Sequence, residues 1–315
     1  MANDTLKHFY AKNASFLFRM KIGIVEYKDD QFIRDVISKL GEFEIEFVFF
    51  REQSAPVGSD YRVIVDRLGF MDPYLRELMK NLALSGTYII NNPFSSAEID
   101  KISNTKHFDS LGISHPKTIV LPRINELYDF NELVGEPDWN RICEEISFPC
   151  ILKPFDGYAW DNVYRVNSLD ELKNLYDAMK FRHILLVQEL IRYVDYYRVF
   201  CINKRDVLLV KWNPKPFDMG ESIYTDLKQI EDLKDSIIEK TIKLNSSIDL
   251  DFNAVEWCIT EDRRAFIIDA FNDTPEIVRG KIPEPYYWWI VDKFADCIRE
   301  KFHSNEKNRT IFPLP

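Results

Sequence analysis

The sequence predicts a mixed α/β (α+β) chain in which a small parallel α/β sheet domain precedes subdomains that meet at a cleft. Three observations carry this. The chain has 315 residues, 46% hydrophobic and 29% charged, an ordinary globular composition at a length near the limit of a single core. Short apolar runs alternate with helix-period segments over residues 20–95. From residue 148 the pattern changes to strand, turn, strand, helix, strand.

The runs IGIV (22–25) and IEFVFF (45–50) flank DDQFIRDVISKL, where Phe32, Ile33, Val36, Ile37 and Leu40 recur at helical spacing. YRVIVDR (61–67), a helix over about 72–84 and TYIIN (87–91) extend this unit. Pro73 suits that helix's first turn and Gly86 its end. Next comes a helix capped by Ser95 or Ser96 and stopped at Gly112, then extended Ser114-His115-Pro116. Residues 117–145 show few strand signals and read as a linker with one acidic helix. Beyond it lie FPCILKPF, the turn DGYAWDN, VYRV, SLDELKNLYDAMK and HILLVQEL. YRVFCI (197–202) and DVLLVKW (206–212) pair through Asn203-Lys204-Arg205, and a helix near 228–245 follows. VEWCIT and AFIIDAF form a hairpin across the charged turn EDRR. PYYWWIVDKFADCIREKF reads as a closing amphipathic helix, and the last dozen residues as a frayed tail. The segments expected are an extension at 1–19, domains at 20–97, 98–190 and 191–303, and a tail at 304–315.

Composition excludes several classes of function. With 41 Lys+Arg against 51 Asp+Glu and a net charge of −10, a non-specific nucleic-acid surface is disfavoured, while a local basic pocket is allowed. Five cysteines without CxxC spacing argue against a disulfide framework and a structural zinc site. Lys7, Lys12, Arg19 and Lys21 interrupt the apolar start, and no run reaches a membrane span, so a cytoplasmic protein with no membrane partner is expected.

The chemistry-bearing residues fall at strand ends. Glu256, Asp269 and Asn272 sit at the ends of the last hairpin, and oxygen groups are what a hard cation such as Mg²⁺ recruits. Solvated acids are the alternative there. Lys153, fixed by Pro154 at a strand exit, is placed to act as a point charge on phosphate, or is a surface lysine. Arg198 and Lys211 lie on neighbouring strands with a spacing that lets both face one cleft. Asp66, Arg67 and Asn91-Asn92-Pro93 fall at strand ends, where open α/β sheets bind ligands. Arg67 reads equally as a partner for an acidic substrate and as a structural ion pair. The aromatic cluster Tyr286-Tyr287-Trp288-Trp289 reads as an interface patch of a homo-oligomer or as core packing of the last helix.

In this order, VIVDR, PYLRELMKNLALSGTYIINNP, DKISNTKHFDSLGISHPKT, FPCILKPFDGYAWDNVYRV, LLVQELI, YYRVF and VEWCITEDRRAFIIDAFNDTP resemble the ATP-grasp superfamily over roughly residues 60–275. The likeness is to its carboxylate-amine ligases, similar to glutathione synthetase and ribosomal-protein glutamate ligase. It implies an ATP-grasp fold with two α+β subdomains enclosing a nucleotide cleft, with ATP and Mg²⁺ (or Mn²⁺) as cofactors. Lys101 and Lys153 would contact the phosphates, Gly157 would lie in the loop over them, and Gln188, Glu189, Leu190 and Ile191 would line the adenine. Asp195 would meet the ribose, Glu256, Asp269 and Asn272 would hold metal, and Arg198 and Lys211 would act on the acyl phosphate or substrate. Three departures stand out: an extra residue between Asp195 and Arg198 relative to Asp-x-Arg, three positions rather than two from Asp269 to Asn272, and a glycine-poor DGYAWDN. The implied activity joins a small-molecule or peptide carboxylate to an amine through an acyl phosphate. The alternatives are a nucleotide-binding protein without ligation and a phosphotransferase on the same scaffold.

Overall fold

The computed structural model describes residues 20–50, 60–96, 104–124, 135–155, 161–215, 218–223 and 227–310. Its first sheet is parallel, with strand order β2-β1-β3-β4. The strands are β1 (Lys21–Val25), β2 (Ile45–Phe47), β3 (Tyr61–Asp66) and β4 (Tyr88–Ile90), linked by α1 (Gln31–Ser38) and α2 (Pro73–Leu84). Asp30 caps α1 by accepting from Ile33 N, and Asp72 caps α2 by accepting from Tyr74 N and Leu75 N. Val25, Ile64 and Ile89 pack on Met79, Leu82 and Ala83 of α2. Ile22, Ile24, Val63, Val65 and Ile90 pack the other way, with Phe32 of α1. Burial on both faces is why these strands read as continuous apolar runs rather than as alternation.

Helices α3 (Pro93–Ser96) and α4 (Asn104–Leu111) follow. The expected cap at Ser95 or Ser96 is not where the chain turns: Ser95 and Ser96 lie within α3, and the Asn92 side chain accepts from Phe94 N instead. The second sheet is antiparallel, ordered β5-β8-β6-β7, from β5 (Thr118–Leu121), β6 (Cys150–Pro154), β7 (Tyr164–Val166) and β8 (Leu185–Glu189). The stretch expected to be a linker therefore contributes a strand. TIVL is four residues long, too short for its own period to register, and it is defined by pairing Thr118 with Gln188. Helices α5 (Trp139–Glu145) and α6 (Leu169–Met179) cover one face through Ile142, Leu172 and Tyr176 against Leu152, Leu185 and Val187.

The third sheet, β11-β10-β9-β12-β13, is antiparallel: β9 (Asp195–Ile202), β10 (Asp206–Lys215), β11 (Asp218–Ile223), β12 (Phe252–Ile259) and β13 (Ala265–Asp269). The turn joining β9 and β10 has positive φ at Asn203 and Lys204 (52° and 56°), the twist a tight hairpin prefers. Tyr197, Val199, Leu209, Val255 and Trp257 form a core with Ile237 and Leu244 of α7 (Glu231–Ser247). On the opposite face, Phe200, Ile202 and Phe252 join α8 (Glu284–His303) and the first sheet in one core. Tyr287 is fully buried in that core, with Tyr286, Trp288 and Trp289 packed against it, so the aromatic run packs the last helix. The frayed-tail expectation fails for residues 304–310: Asn308 bonds Ile89 N and O at 2.8 Å each, as another strand's backbone would. Among the described residues no helix is long and apolar enough to cross a membrane.

Candidate nucleotide and metal site

Strand alternation fixes the site. Arg198 is the register partner of both Glu256 on β12 and Val210 on β10, and Glu256 is paired with Asp269 on β13. Directly paired residues project to one face, so Arg198, Glu256 and Asp269 form a row across three strands, between the Phe200 core and the packed group Tyr196, Trp212, Cys258 and Phe266. Arg198 is 7% exposed, and its Nε has no hydrogen-bond partner among the described residues. Its guanidinium lies 5.0 Å from the Trp212 ring centre and 5.8 Å from that of Phe200. Burial lowers the Arg198 pKa against the opposing pull of Glu256 and Glu276. Burial likewise raises that of Glu256, with Asp269 adding to the rise and Arg198, a hydrogen bond from Tyr196 and Lys153 opposing it. Tyr196 donates to Glu256 Oε2 at 2.6 Å, which orients the carboxylate as an outer-shell partner does around a metal.

The three-residue step from Asp269 to Asn272 has a structural answer. Glu256 pairs with Asp269, while Ala254 N donates to Asn272 O at 3.0 Å. Two steps along β12 thus match three along the other chain, an extra residue between Asp269 and Asn272. Asn253 holds this bulge: its Nδ2 donates to Ala270 O at 2.9 Å and its Oδ1 accepts from Asn272 N at 2.8 Å. Among the described residues no three His, Cys, Asp or Glu side chains come together as a metal group. Two carboxylates and an amide, completed by substrate oxygens, nevertheless suit a hard divalent cation, and a carboxyl that burial keeps raised at Glu256 despite Arg198, Tyr196 and Lys153 is the kind of group a cation would neutralise.

The second sheet supplies the opposite wall. Ile151, Lys153 and Gln188 fall on its face away from α5 and α6, and Lys153, Gln188 and Thr118 line a cleft with Phe108, His115 and Asp269. Gln188 Nε2 donates to Thr118 Oγ1 at 3.0 Å. Glu189 N donates to Lys117 O at 2.9 Å and its Oε2 accepts from Lys117 N at 3.3 Å. Leu190 and Ile191 leave the strand there, and Ile191 packs against the Tyr196 and Trp212 group. Lys101 and Gly157 lie outside the described residues, as does most of DGYAWDN.

The expectation that Lys211 shares a cleft with Arg198 is corrected. Lys211 pairs with Tyr197, so it falls on the other face of the sheet, and its Nζ lies 2.6 Å from Asp195 Oδ1. The acid assigned to ribose and the lysine assigned to substrate hold one another. At the first sheet, Asn91 donates to Phe252 O and Asp273 O and accepts from Asp251 N and Phe252 N, and Asn92 donates to Asp249 and Arg309 O. Both amides clamp sheets together rather than awaiting a ligand. Arg67 bonds Glu26 Oε2 at 2.9 Å, which is the structural ion pair of its two readings. Sequence reasoning passed over Tyr196 and Trp212; Tyr196 stands two residues from Arg198 on one strand, a period-two signal that would have found it.

No family model matches the chain, and no curated protein matches it. The fold is that of the ATP-grasp ligases. The structure of D-alanine–D-alanine ligase from Bacillus anthracis complexed with ATP superposes with a TM-score of 0.63 at 16% identity, covering 90% of this chain and 97% of that one. A RimK-domain ATP-grasp protein from Sphaerobacter thermophilus gives 0.62 at 16% identity, over 89% and 99%. The ATP-grasp ligase PsnB, complexed with a phosphomimetic variant of a minimal precursor, Mg and ADP, gives 0.60 at 16% identity, over 90% and 98%.

Proposed function

We propose that the protein is an ATP-dependent ligase that joins a carboxylate to an amine through an acyl phosphate, releasing ADP and phosphate. The observation that carries this reading is the row Arg198, Glu256 and Asp269, in which Asp269 lines a cleft whose other wall holds Lys153 and Gln188 and the charge of Lys153 reaches Glu256. Lys153 supplies a point charge to the phosphates, and Gln188 through Ile191 border the base. Glu256, Asp269 and Asn272 would hold a divalent cation, which would supply positive charge to offset the negative charge building on the transferred group. Arg198 performs the anion binding: a buried guanidinium whose Nε has no partner among the described residues costs about 1–3 kcal/mol until an oxygen reaches it. Trp212 and Phe200 hold its plane, so little reorganisation is needed when the acyl phosphate forms. Tyr196 keeps Glu256 in one orientation.

Peptide-bound structures of relatives in fold, such as PsnB with the precursor peptide PsnA2 and AMPPNP, make a peptide one substrate class to supply alongside small acids. The test measures ADP release with pools of acids, peptides and amines. ADP that depends on both an acid and an amine, and that Glu256→Gln abolishes, supports ligation. ADP release from one hydroxyl substrate alone, with a stable phosphorylated product, would instead identify a phosphotransferase.

A further inference from the structure

At the carboxyl ends of β1 and β3, where parallel sheets present their ligands, four ionisable groups meet: Glu26, Asp66, Arg67 and Asp273. Arg67 is 6% exposed and bonds Glu26 through Nε and Pro275 O through Nη2. Glu26, whose side chain is 7% exposed, cancels its charge. Asp66 accepts only backbone N–H groups, from Leu68 and Gly69 at 3.1 and 2.8 Å, and neither Asp66 nor Asp273 has an ion pair among the described residues. Asp273 carries repulsion from Asp66, relieved in part by Arg67. The cluster thus has an excess of negative charge, and both aspartates are half-buried rather than sealed in the core.

A second observation is independent of the acids. Nη1 of Arg67 is buried with no hydrogen-bond partner among the described residues, so the same place has a donor in need of an oxygen. Asp273 directly follows Asn272, which sets the cluster beside the end of the hairpin row. A substrate that fills it would present a cation to the aspartates and an oxygen to Arg67.

Resting on the ligase reading, we propose that Asp66, Asp273 and Arg67 Nη1 form the subsite for the nucleophile, which binds as a primary ammonium carrying a neighbouring carbonyl or carboxylate oxygen. Arg67 by itself reads as a site for an acid; its neutralisation by Glu26 reverses that reading. Before attack the ammonium would pass one proton to the Asp66 carboxylate, whose Oδ2 takes neither backbone N–H.

The test titrates the full-length protein calorimetrically with glycinamide, with its neutral counterpart N-acetylglycinamide and with succinate, each with and without Mg²⁺ and a non-hydrolysable ATP analogue. Glycinamide should bind at least about tenfold more tightly than either control. Asp66→Asn, which keeps the oxygen that Leu68 and Gly69 need, should lose that preference. So should Gly69→Ala, whose Cβ would fall 2.2 Å from Asp66 Oδ2 and displace a carboxylate that keeps its charge. Melting curves establish that both variants fold. Glycinamide binding that is absent, no tighter than the controls, or unchanged in both variants overturns the subsite. Ammonium selectivity without analogue binding would instead remove the ligase reading and leave a cation site.

Discussion

Two charge clusters lie along the third sheet, one closed off at the start of β12 and one open midway along β9 and β12, and they are built to different rules. At the closed end, Asp249 and Asp251 take Lys204 at 2.5 and 3.2 Å, Lys301 lies 3.4 Å from Asp251, and Tyr88 donates to Asp251 at 2.7 Å. Asp251 Oδ1 stands within ion-pair reach of both lysines, though off the ideal hydrogen-bond direction. Burial alone would raise the Asp249 carboxyl, yet Lys204 brings it below its ordinary value. At the open end burial raises Glu256, and Arg198 does not reverse it. One cluster is complete within the protein; in the other Glu256 keeps a burial-raised carboxyl and Arg198 an Nε with no hydrogen-bond partner among the described residues. Completed charge holds sheets together, whereas deficient charge marks where ligands go.

That contrast can be broken by substitution. Asp251→Ala leaves Lys301 and Lys204 facing a void and should cost about 3–5 kcal/mol in chemical denaturation, with ATP binding of the folded fraction intact. Arg198→Met should do the reverse, keeping stability within about 1 kcal/mol while ADP release falls about 10²–10³-fold. If instead Arg198→Met unfolds the protein, the open cluster is structural too.

Asp66 sharpens the comparison through pH. Burial lifts its carboxyl from an ordinary 3.8 to about 6, and that of Asp273 likewise to about 6. A raised acid contributes stability that is present below its unfolded pKa and lost as pH rises through its folded pKa. Asp66→Asn should therefore gain about 1–2 kcal/mol at pH 8, a gain that shrinks toward pH 4 in matched urea melts. The smallest effect belongs to Lys211→Met, which breaks a half-buried pair with Asp195 at about 1 kcal/mol or less and should leave nucleotide affinity unchanged. A large loss of affinity would return Lys211 to the site.

Much of this was legible in the sequence wherever period and position coincide. The apolar runs fixed the first sheet's strands, and the acids at the ends of VEWCIT and AFIIDAF announced a paired hairpin. What was hidden depends on register. Lys211 and Arg198 look equivalent until Val210 is seen opposite Arg198. The odd spacing of Asn272 looks like a defect until Asn253 is found bracing a bulge. TIVL and Asn308 are short or single elements whose meaning lies in distant partners, Gln188 and Ile89. The neutralisation of Arg67 by Glu26 links two strand ends that no local pattern joins.

Whether the open cluster takes a metal-bound nucleotide is decided by titrating ATP calorimetrically into the wild-type protein and into Glu256→Gln, each with Mg²⁺ and again with chelator. Binding to the wild type should be micromolar and depend on the metal, and Glu256→Gln should show an affinity that chelator no longer changes. Metal-independent binding of equal strength in both proteins, or none in a folded wild type, would contradict this.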